Sequence, residues 1–475
     1  MQSETRRKLL QLQALSRQTL AGDHDARRLC GCGYRRTAQV VELRGSELGA
    51  VVARGLQTCG SVWSCPRCAP RVQHERRAEL SRVLSGARDQ GDATELWTFT
   101  IPHSSGDELV EMRKAVAAAW RSVTQGRGWV ATRKAVGLRG YVRALEATHG
   151  RAGWHPHLHV VAVVGYELPQ RMTTDELRHV TPDAMALVVA ARRAAGASGS
   201  ELGRWRARNR ERLAEHEQKA ARRPFRRGLE APQSREGLRL WLWARWARAV
   251  ARHGLGRPSF LDGVDLRPCD AASEYVTKMG LGWEMTAPGS KSSRGASRTP
   301  QAILAACSKP GAGASRAEWS EWARARALWR EWSLAMRGAR QLTWSPGLRK
   351  RYGLGAERDD AKIAEDATGA SVLAVAVSAP MWDGWLRDRP STIAAVCDAL
   401  VRDDPGDVAA SLRDAPQVAG WSWTMHEDVD AAPRDDDALP PTARDVRRAW
   451  SSKFGRGHLV PCLSSRDRSE LALAS

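Results

Sequence analysis

Phenylalanine and tyrosine are nearly missing from this chain of 475 residues, with four Phe and five Tyr against 20 Trp. Tryptophan must therefore carry most of the aromatic packing, and every tyrosine hydroxyl is a scarce group. Lysine is scarce too, since 64 of the 74 basic residues are arginine. Long apolar runs are absent. The two longest, near Val160–Val164 and Val372–Val377, fall well short of the roughly 20 apolar residues that a bilayer-spanning helix needs. The opening stretch MQSETRRKLL has no apolar segment of the kind a secretory signal carries. A cytoplasmic protein with no membrane partner is expected. In that compartment the nine cysteines are thiols or metal ligands rather than a disulfide framework.

Negative charge is short as well, but unevenly so. Acidic residues number 53 against 74 basic ones, a net charge of +21. Residues 356–475 hold 21 acids and 14 bases, which leaves 32 acids and 60 bases in residues 1–355. The first three-quarters therefore carry a net +28, and the polyanionic partner implied by that excess is expected there. The acidic region 356–475 has no assignable role and is expected to be dispensable for binding a polyanion.

The chain divides by pattern. Residues 1–29 read as a helical lead, and 30–90 as a cysteine-rich segment. Residues 91–285 alternate strands and helices, with a helical insertion rich in Arg and Trp at 170–255. Residues 286–355 read as a basic loop and a helical extension. Within this plan Thr94–Ile101 reads as a strand and Glu108–Val123 as an amphipathic helix. Arg139–Thr148 and His155–Val164 are strands joined by a loop, HGRAGW. A short strand is expected near Phe260–Leu266 and a helix over 270–279. The Gly/Ser-rich, basic stretch 287–299 reads as a loop that can lie along phosphates. Trp319, Trp322, Trp329 and Trp332 form one stripe of a helix and are expected in the core. Trp241, Trp243 and Trp246, among Arg245 and Arg248, are expected to be shared between core and nucleic acid. There is no internal repeat.

The sharpest signal is Gly153-Trp154-His155-Pro156-His157-Leu158-His159. Residues two apart on a strand share a face, so His155, His157 and His159 project together while Pro156 and Leu158 point toward a core. Three imidazoles on one face suit a divalent metal. If the connecting loop closes symmetrically between residues 148 and 155, Glu146 faces His157 across the ladder and supplies a carboxylate ligand. His155 is the less certain member of that set.

Among the N-terminal cysteines, Cys65-x-x-Cys68 has zinc-knuckle spacing. Cys30, Cys32 and Cys59 are available to complete four thiolates, so one of the five is spare and spacing does not say which. A structural zinc is expected to brace a DNA-contacting module without taking part in chemistry.

HPHLHVV resembles the histidine-hydrophobe-histidine motif of the HUH endonucleases, and more narrowly of plasmid rolling-circle replication initiators. Trp97-Thr98-Phe99-Thr100-Ile101 resembles that family's first motif, a strand beside the histidine strand. Glu274-Tyr275-Val276-Thr277-Lys278 resembles its third, which carries the nucleophile. The segment from Cys59 to Cys68, and Gln341-Leu342-Thr343-Trp344-Ser345-Pro346-Gly347-Leu348, are similar to segments of the actinobacterial initiators. The resemblance covers roughly residues 30–355. It implies an α+β fold in which an antiparallel HUH nuclease sheet has helical additions and an N-terminal zinc-binding segment. It also implies nicking of single-stranded or hairpin plasmid origin DNA with Mg²⁺ or Mn²⁺. The products would be a 5′-phosphotyrosine and a 3′-OH primer, used with the host helicase and polymerase.

Tyr275 is the nucleophile this reading selects. A tyrosine hydroxyl has a pKa of about 10, and Lys278, three residues on along a helix, would favour the phenolate. Met279 stands where some family members carry a second tyrosine. Ala271 stands where others carry a glutamate that assists the closing cleavage, and Glu274 or Asp270 could substitute. Three rivals remain. A relaxase or single-tyrosine transposase would share the constellation. A non-catalytic zinc-containing DNA-binding regulator would form no adduct, and a non-haem iron oxygenase would leave the +28 region without a purpose.

Overall fold

The computed structural model describes residues 2–46, 51–268, 297–365, 370–388, 390–402, 407–408, 410 and 423–427. Asp270, Ala271, Glu274, Tyr275, Lys278 and Met279 lie outside the described residues, as do the helix expected over 270–279 and most of the stretch 287–299. Two compact units are present, Met1–Val72 with Arg358–Ser475, and Gln73–Glu357. In chain order the strands are β1 (Val40–Ser46), β2 (Val51–Arg54), β3 (Ala93–Thr100), β4 (Leu138–Gly150), β5 (Gly153–Val164), β6 (Val264–Pro268), β7 (Leu342–Trp344), β8 (Ala370–Ser378) and β9 (Trp423–Glu427). Helices and two antiparallel sheets make this a mixed architecture, with a cysteine cluster near the N-terminus.

The larger unit is built on a five-stranded antiparallel sheet, β6-β3-β5-β4-β7, with the histidine strand β5 at its centre. Its two faces are covered differently. Val161 and Val163, on the face that also carries the histidines, pack with Val142, Leu342 and Leu348 and with Leu80, Val83, Leu84 and Ala87 of the helix Cys68–Asp89. On the opposite face Phe99, paired with Leu158, meets Trp120 at 5.3 Å and Trp246 at 5.2 Å between ring centroids. Those tryptophans come from the helices Leu109–Val123 and Arg235–Arg252. Trp246 Nε1 also donates to the Thr100 carbonyl at 2.7 Å. Tryptophan thus fills the place that scarce phenylalanine leaves, and its N–H finds a partner when buried.

Pro156 sits in this central strand without an N–H to give. It is tolerated because β3 ends at Thr100, opposite His157, so that side of β5 has no ladder to complete at Pro156. The strands β4 and β5 are longer than expected and meet in a tight turn at Arg151–Ala152. Gly153 takes φ +88°, and a Cβ there would lie 2.8 Å from the Ser104 carbonyl oxygen, so glycine is required. The 170–255 insertion is helical: Thr174–His179, Pro182–Ala194, Gly199–Arg222 and Arg235–Arg252. Capping boxes start two of these, Thr173 with Glu176 and Ser198 with Glu201.

The smaller unit carries a four-stranded antiparallel sheet, β2-β1-β8-β9. Two of its strands come from the acidic region. Val41 pairs with Val377 and Leu43 with Val375, and their side chains form a core with Trp382, Val396 and Leu400. The acidic region is therefore not the detachable tail that its charge suggested. Its apolar run at 372–377 lies in a strand paired along both edges, with Val375 and Val377 buried.

Candidate active site and metal centre

The register of β4 on β5 follows from symmetrical closure of the hairpin, and Glu146 stands opposite His157 as expected. On the other side Thr98 stands opposite His159 and Thr100 opposite His157. The strand read as the first motif therefore does flank the histidine strand. His155, His157 and His159 share a face, with ring centroids 4.1 Å apart for the first pair and 6.0 Å for the second. The carboxylate of Glu146 reaches past His157 to His159 and accepts from its Nε2 at 2.9 Å. A carboxylate can only accept, so Nε2 donates here, and on the other side of the ring Nδ1 is hydrogen-bonded to Thr98 Oγ1 at 3.2 Å. His159, 7% exposed, is thereby fixed from both ring nitrogens.

A fourth imidazole joins the group. His103, in the loop after β3, lies against His155 with centroids 4.4 Å apart and planes 29° from parallel. Its spacing from Thr100 matches no strand period. The only sequence signal for it is its place just past the motif strand.

The electrostatics favour neutral rings. Burial pushes the pKa of His157 down to about 3, with His155, His159 and His103 adding repulsion against any proton. Burial, then His103, lowers that of His155 as well. His157 Nδ1 is buried and has no hydrogen-bond partner among the described residues. An orphaned nitrogen on a neutral imidazole, beside further imidazoles and a carboxylate, is a donor set that suits a divalent ion. The donor atoms have not converged, however. Among the described residues only a cysteine quartet brings its ligand atoms within 4.8 Å of one another.

That quartet is Cys32, Cys59, Cys65 and Cys68, in the smaller unit. Cys32 and Cys68 Sγ are 3.4 Å apart; Cys65 donates to Cys32 at 3.6 Å and Cys59 to Cys68 at 3.8 Å. Four thiolates about 2.3 Å from a central zinc would sit about 3.8 Å apart in a tetrahedron, so the group could hold a metal such as zinc. Hydrogen bonds from the other three thiols hold Cys68 well below the ordinary thiol range, while Cys65 is pushed up. The backbone N–H of Ser61 donates to Cys59 Sγ at 3.4 Å, as at a metal-binding knuckle. Cys30 is the spare cysteine. Its sulfur faces the carbonyls of Arg17 and Leu20 instead, at 3.8 and 3.7 Å.

The tryptophans divide. Trp329 and Trp332 are buried as expected, whereas Trp319 and Trp322 are only half-buried, with Arg326 over the Trp322 ring. Trp243 and Trp246 are fully buried, and Trp241 is half-buried under Arg245.

A central histidine strand between a threonine-bearing strand and a glutamate-bearing one, and separately a thiolate quartet, define a protein with two candidate metal centres and a basic surface. Two curated relatives place it more closely. The chain is 30% identical over 144 residues to Protein rep of Streptomyces lividans, and 30% identical over 142 residues to the Neomycin resistance protein of Streptomyces cyanogenus. Each alignment takes in 25% of this chain and 32% of the relative, so the chain spans about a third of the length of the curated relatives it matches. Over that stretch the chain is Rep-like, as its motifs led us to expect. No protein-family model matches the chain, and no solved structure matches it. No helix among the described residues is long and apolar enough to cross a membrane.

Proposed function

We propose that this chain is a Rep-type initiator of rolling-circle plasmid replication, an HUH endonuclease that nicks and rejoins one strand of single-stranded or hairpin origin DNA. The observation that carries the reading is the histidine face of β5, with Glu146 in register opposite and Thr98 and Thr100 alongside. The similarity to a protein named Rep supports it, as does the +28 excess of residues 1–355.

In this reading His157, His159 and Glu146, with His155 alongside, would hold Mg²⁺ or Mn²⁺, and Thr98 would orient His159. When bound, such an ion would polarise the scissile phosphate and screen its charge. Neutral imidazoles keep their lone pairs available at neutral pH, which is what the lowered pKa of His157 provides. Tyr275 Oη, deprotonated with help from Lys278, would attack phosphorus in line. The P–Oη bond forms, the P–O3′ bond breaks, and the 3′ oxygen leaves as the hydroxyl that a polymerase extends. Glu274 or Asp270 would serve the closing cleavage. Zinc in the cysteine quartet would be structural.

The test is incubation of the full chain with single-stranded origin DNA, read on a denaturing gel. Cleavage should require added metal, vanish in EDTA and return with Mn²⁺. His157→Ala and His159→Ala should each abolish it while DNA affinity falls little. Undiminished nicking by the double variant would overturn the metal assignment.

A further inference from the structure

In the helical insertion, a cavity of about 230 Å³ opens where the helix Gly199–Arg222 ends and the chain turns toward the helix Arg235–Arg252. Five arginines line it, against one carboxylate, Glu230. Two of the five are committed to the fold. Arg248 Nη1 donates to the carbonyls of Ala221 and Arg222, and Arg245 donates to those of Ser122, Val123 and Gln125. The carbonyl end of the Gly199–Arg222 helix, which would repel an anion, is thus covered by a cation.

The remaining three, Arg222, Arg223 and Arg226, are exposed, and their side chains have no hydrogen bond or ion pair among the described residues. Three unpaired guanidinium groups around one cavity repel each other until an anion joins them. The same cavity has an aromatic wall. Phe225 and Trp241 are both half-buried, with Arg245 lying 4.8 Å from the Trp241 ring centroid. A simple anion site has no use for that wall, whereas a nucleotide needs both halves, phosphate on arginine and base on aromatic ring.

Helical period places the cavity. Trp241, Arg245 and Arg248 follow one face of their helix, while Trp243 and Trp246 on the other are buried in the core under the sheet. The helix lies between this cavity and the sheet, and the histidines are on the sheet's far face. A phosphate held here is not the one being cut.

We propose that this cavity is a second DNA site, which grips a single strand away from the nick. The backbone phosphates lie on Arg222, Arg223 and Arg226, and a base lies against Phe225, beside the Trp241 ring that Arg245 and Trp129 already hold. Stacking on the aromatic wall requires an unpaired base, so single-stranded DNA is the ligand. The inference rests on the Rep-type reading, and it is tested without chemistry so that the two can fail separately.

The measurement is the affinity of the full chain for a short fluorescein-labelled oligonucleotide, single-stranded or duplex, across a salt series with no Mg²⁺ or Mn²⁺. The variants are Arg223→Gln/Arg226→Gln and, separately, Phe225→Leu. The control is Arg204→Gln/Arg208→Gln, which removes two exposed charges elsewhere on the Gly199–Arg222 helix. Removing one arginine–phosphate pairing should lower the log–log salt slope on a single strand by about 0.7, so the cavity pair should lose roughly 1.4 together with about tenfold in affinity. Phe225→Leu should weaken single-strand binding several-fold at unchanged slope, and duplex binding hardly at all. The inference is overturned if the cavity pair binds like wild type, if the control pair loses as much, or if duplex and single strand suffer equally. A chain that binds through the cavity yet never nicks would keep this inference and sink the proposed function.

Discussion

A buried imidazole with an unpaired ring nitrogen is costly, and His157 is held in that state by its place on the sheet. Its pKa is down to about 3, against an ordinary value of 6.5. Between those values the unfolded chain takes up a proton here that the folded chain refuses. This residue's contribution to stability is therefore complete above 6.5, and it is lost progressively as pH falls toward 3. Thermal unfolding without added divalent metal should show wild type losing more Tm between about pH 7 and about pH 5 than His157→Gln does. Equal losses would place the acid sensitivity elsewhere. The cysteines give a second residue-scale expectation. Cys30→Ala should retain about one zinc per chain by elemental analysis, and Cys68→Ser should lose it. Loss of zinc in the Cys30 variant would mean that the quartet is wrongly drawn.

The hairpin of β4 and β5 shows how much of the site an element can reveal from its sequence alone. Alternation put the three histidines on one face, and symmetrical closure put Glu146 opposite His157. What it could not show was which neighbour the carboxylate would choose. Directly opposed and diagonal partners are both within reach of a long side chain, and Glu146 takes the diagonal His159. His103 was invisible for a related reason: it sits in a loop, where no period applies. The half-exposed Trp319 and Trp322 have a similar origin, because a stripe fixes direction but not how far along the helix its cover extends. The turn itself is testable. Gly153→Ala forces a Cβ against the Ser104 carbonyl at positive φ, and it should cost about 1–3 kcal/mol in denaturant unfolding. An unchanged midpoint would mean that the 104–105 loop does not pack there.

At the scale of the whole molecule, charge alone made residues 356–475 look removable. The pairing of β1 with β8 joins strands separated by most of the chain, and neither local pattern nor composition carries information about such a partner. Removing residues 356–475 strips β1 of one neighbour, and it also takes away Ile363 and Ala364, which pack against the cysteine quartet. The truncated chain should therefore lose zinc and become protease-sensitive through residues 1–72, even though it sheds net negative charge. A truncated chain with full zinc and wild-type resistance would contradict this. Where the fold is intact, DNA binding should weaken steeply with salt.

Covalent capture by Tyr275 is the most direct measure of the proposed chemistry. None of the other four tyrosines, Tyr34, Tyr141, Tyr166 and Tyr352, has a lysine three residues on. Arg17 lies 3.8 Å from the Tyr34 ring centroid, and Tyr141 packs edge-on to Trp120 and Trp129. Tyr166 donates to the Ala135 carbonyl and Tyr352 to Asp92. Single-stranded origin DNA incubated with the full chain and Mn²⁺ should yield an SDS-resistant adduct, with the 3′ fragment attached through its 5′ phosphate. Tyr275→Phe should abolish the adduct, Lys278→Ala should slow it, and a Phe at any other tyrosine should leave it intact. Peptide mapping should find the DNA on Tyr275. DNA on another residue, or nicking by Tyr275→Phe, would contradict the assignment.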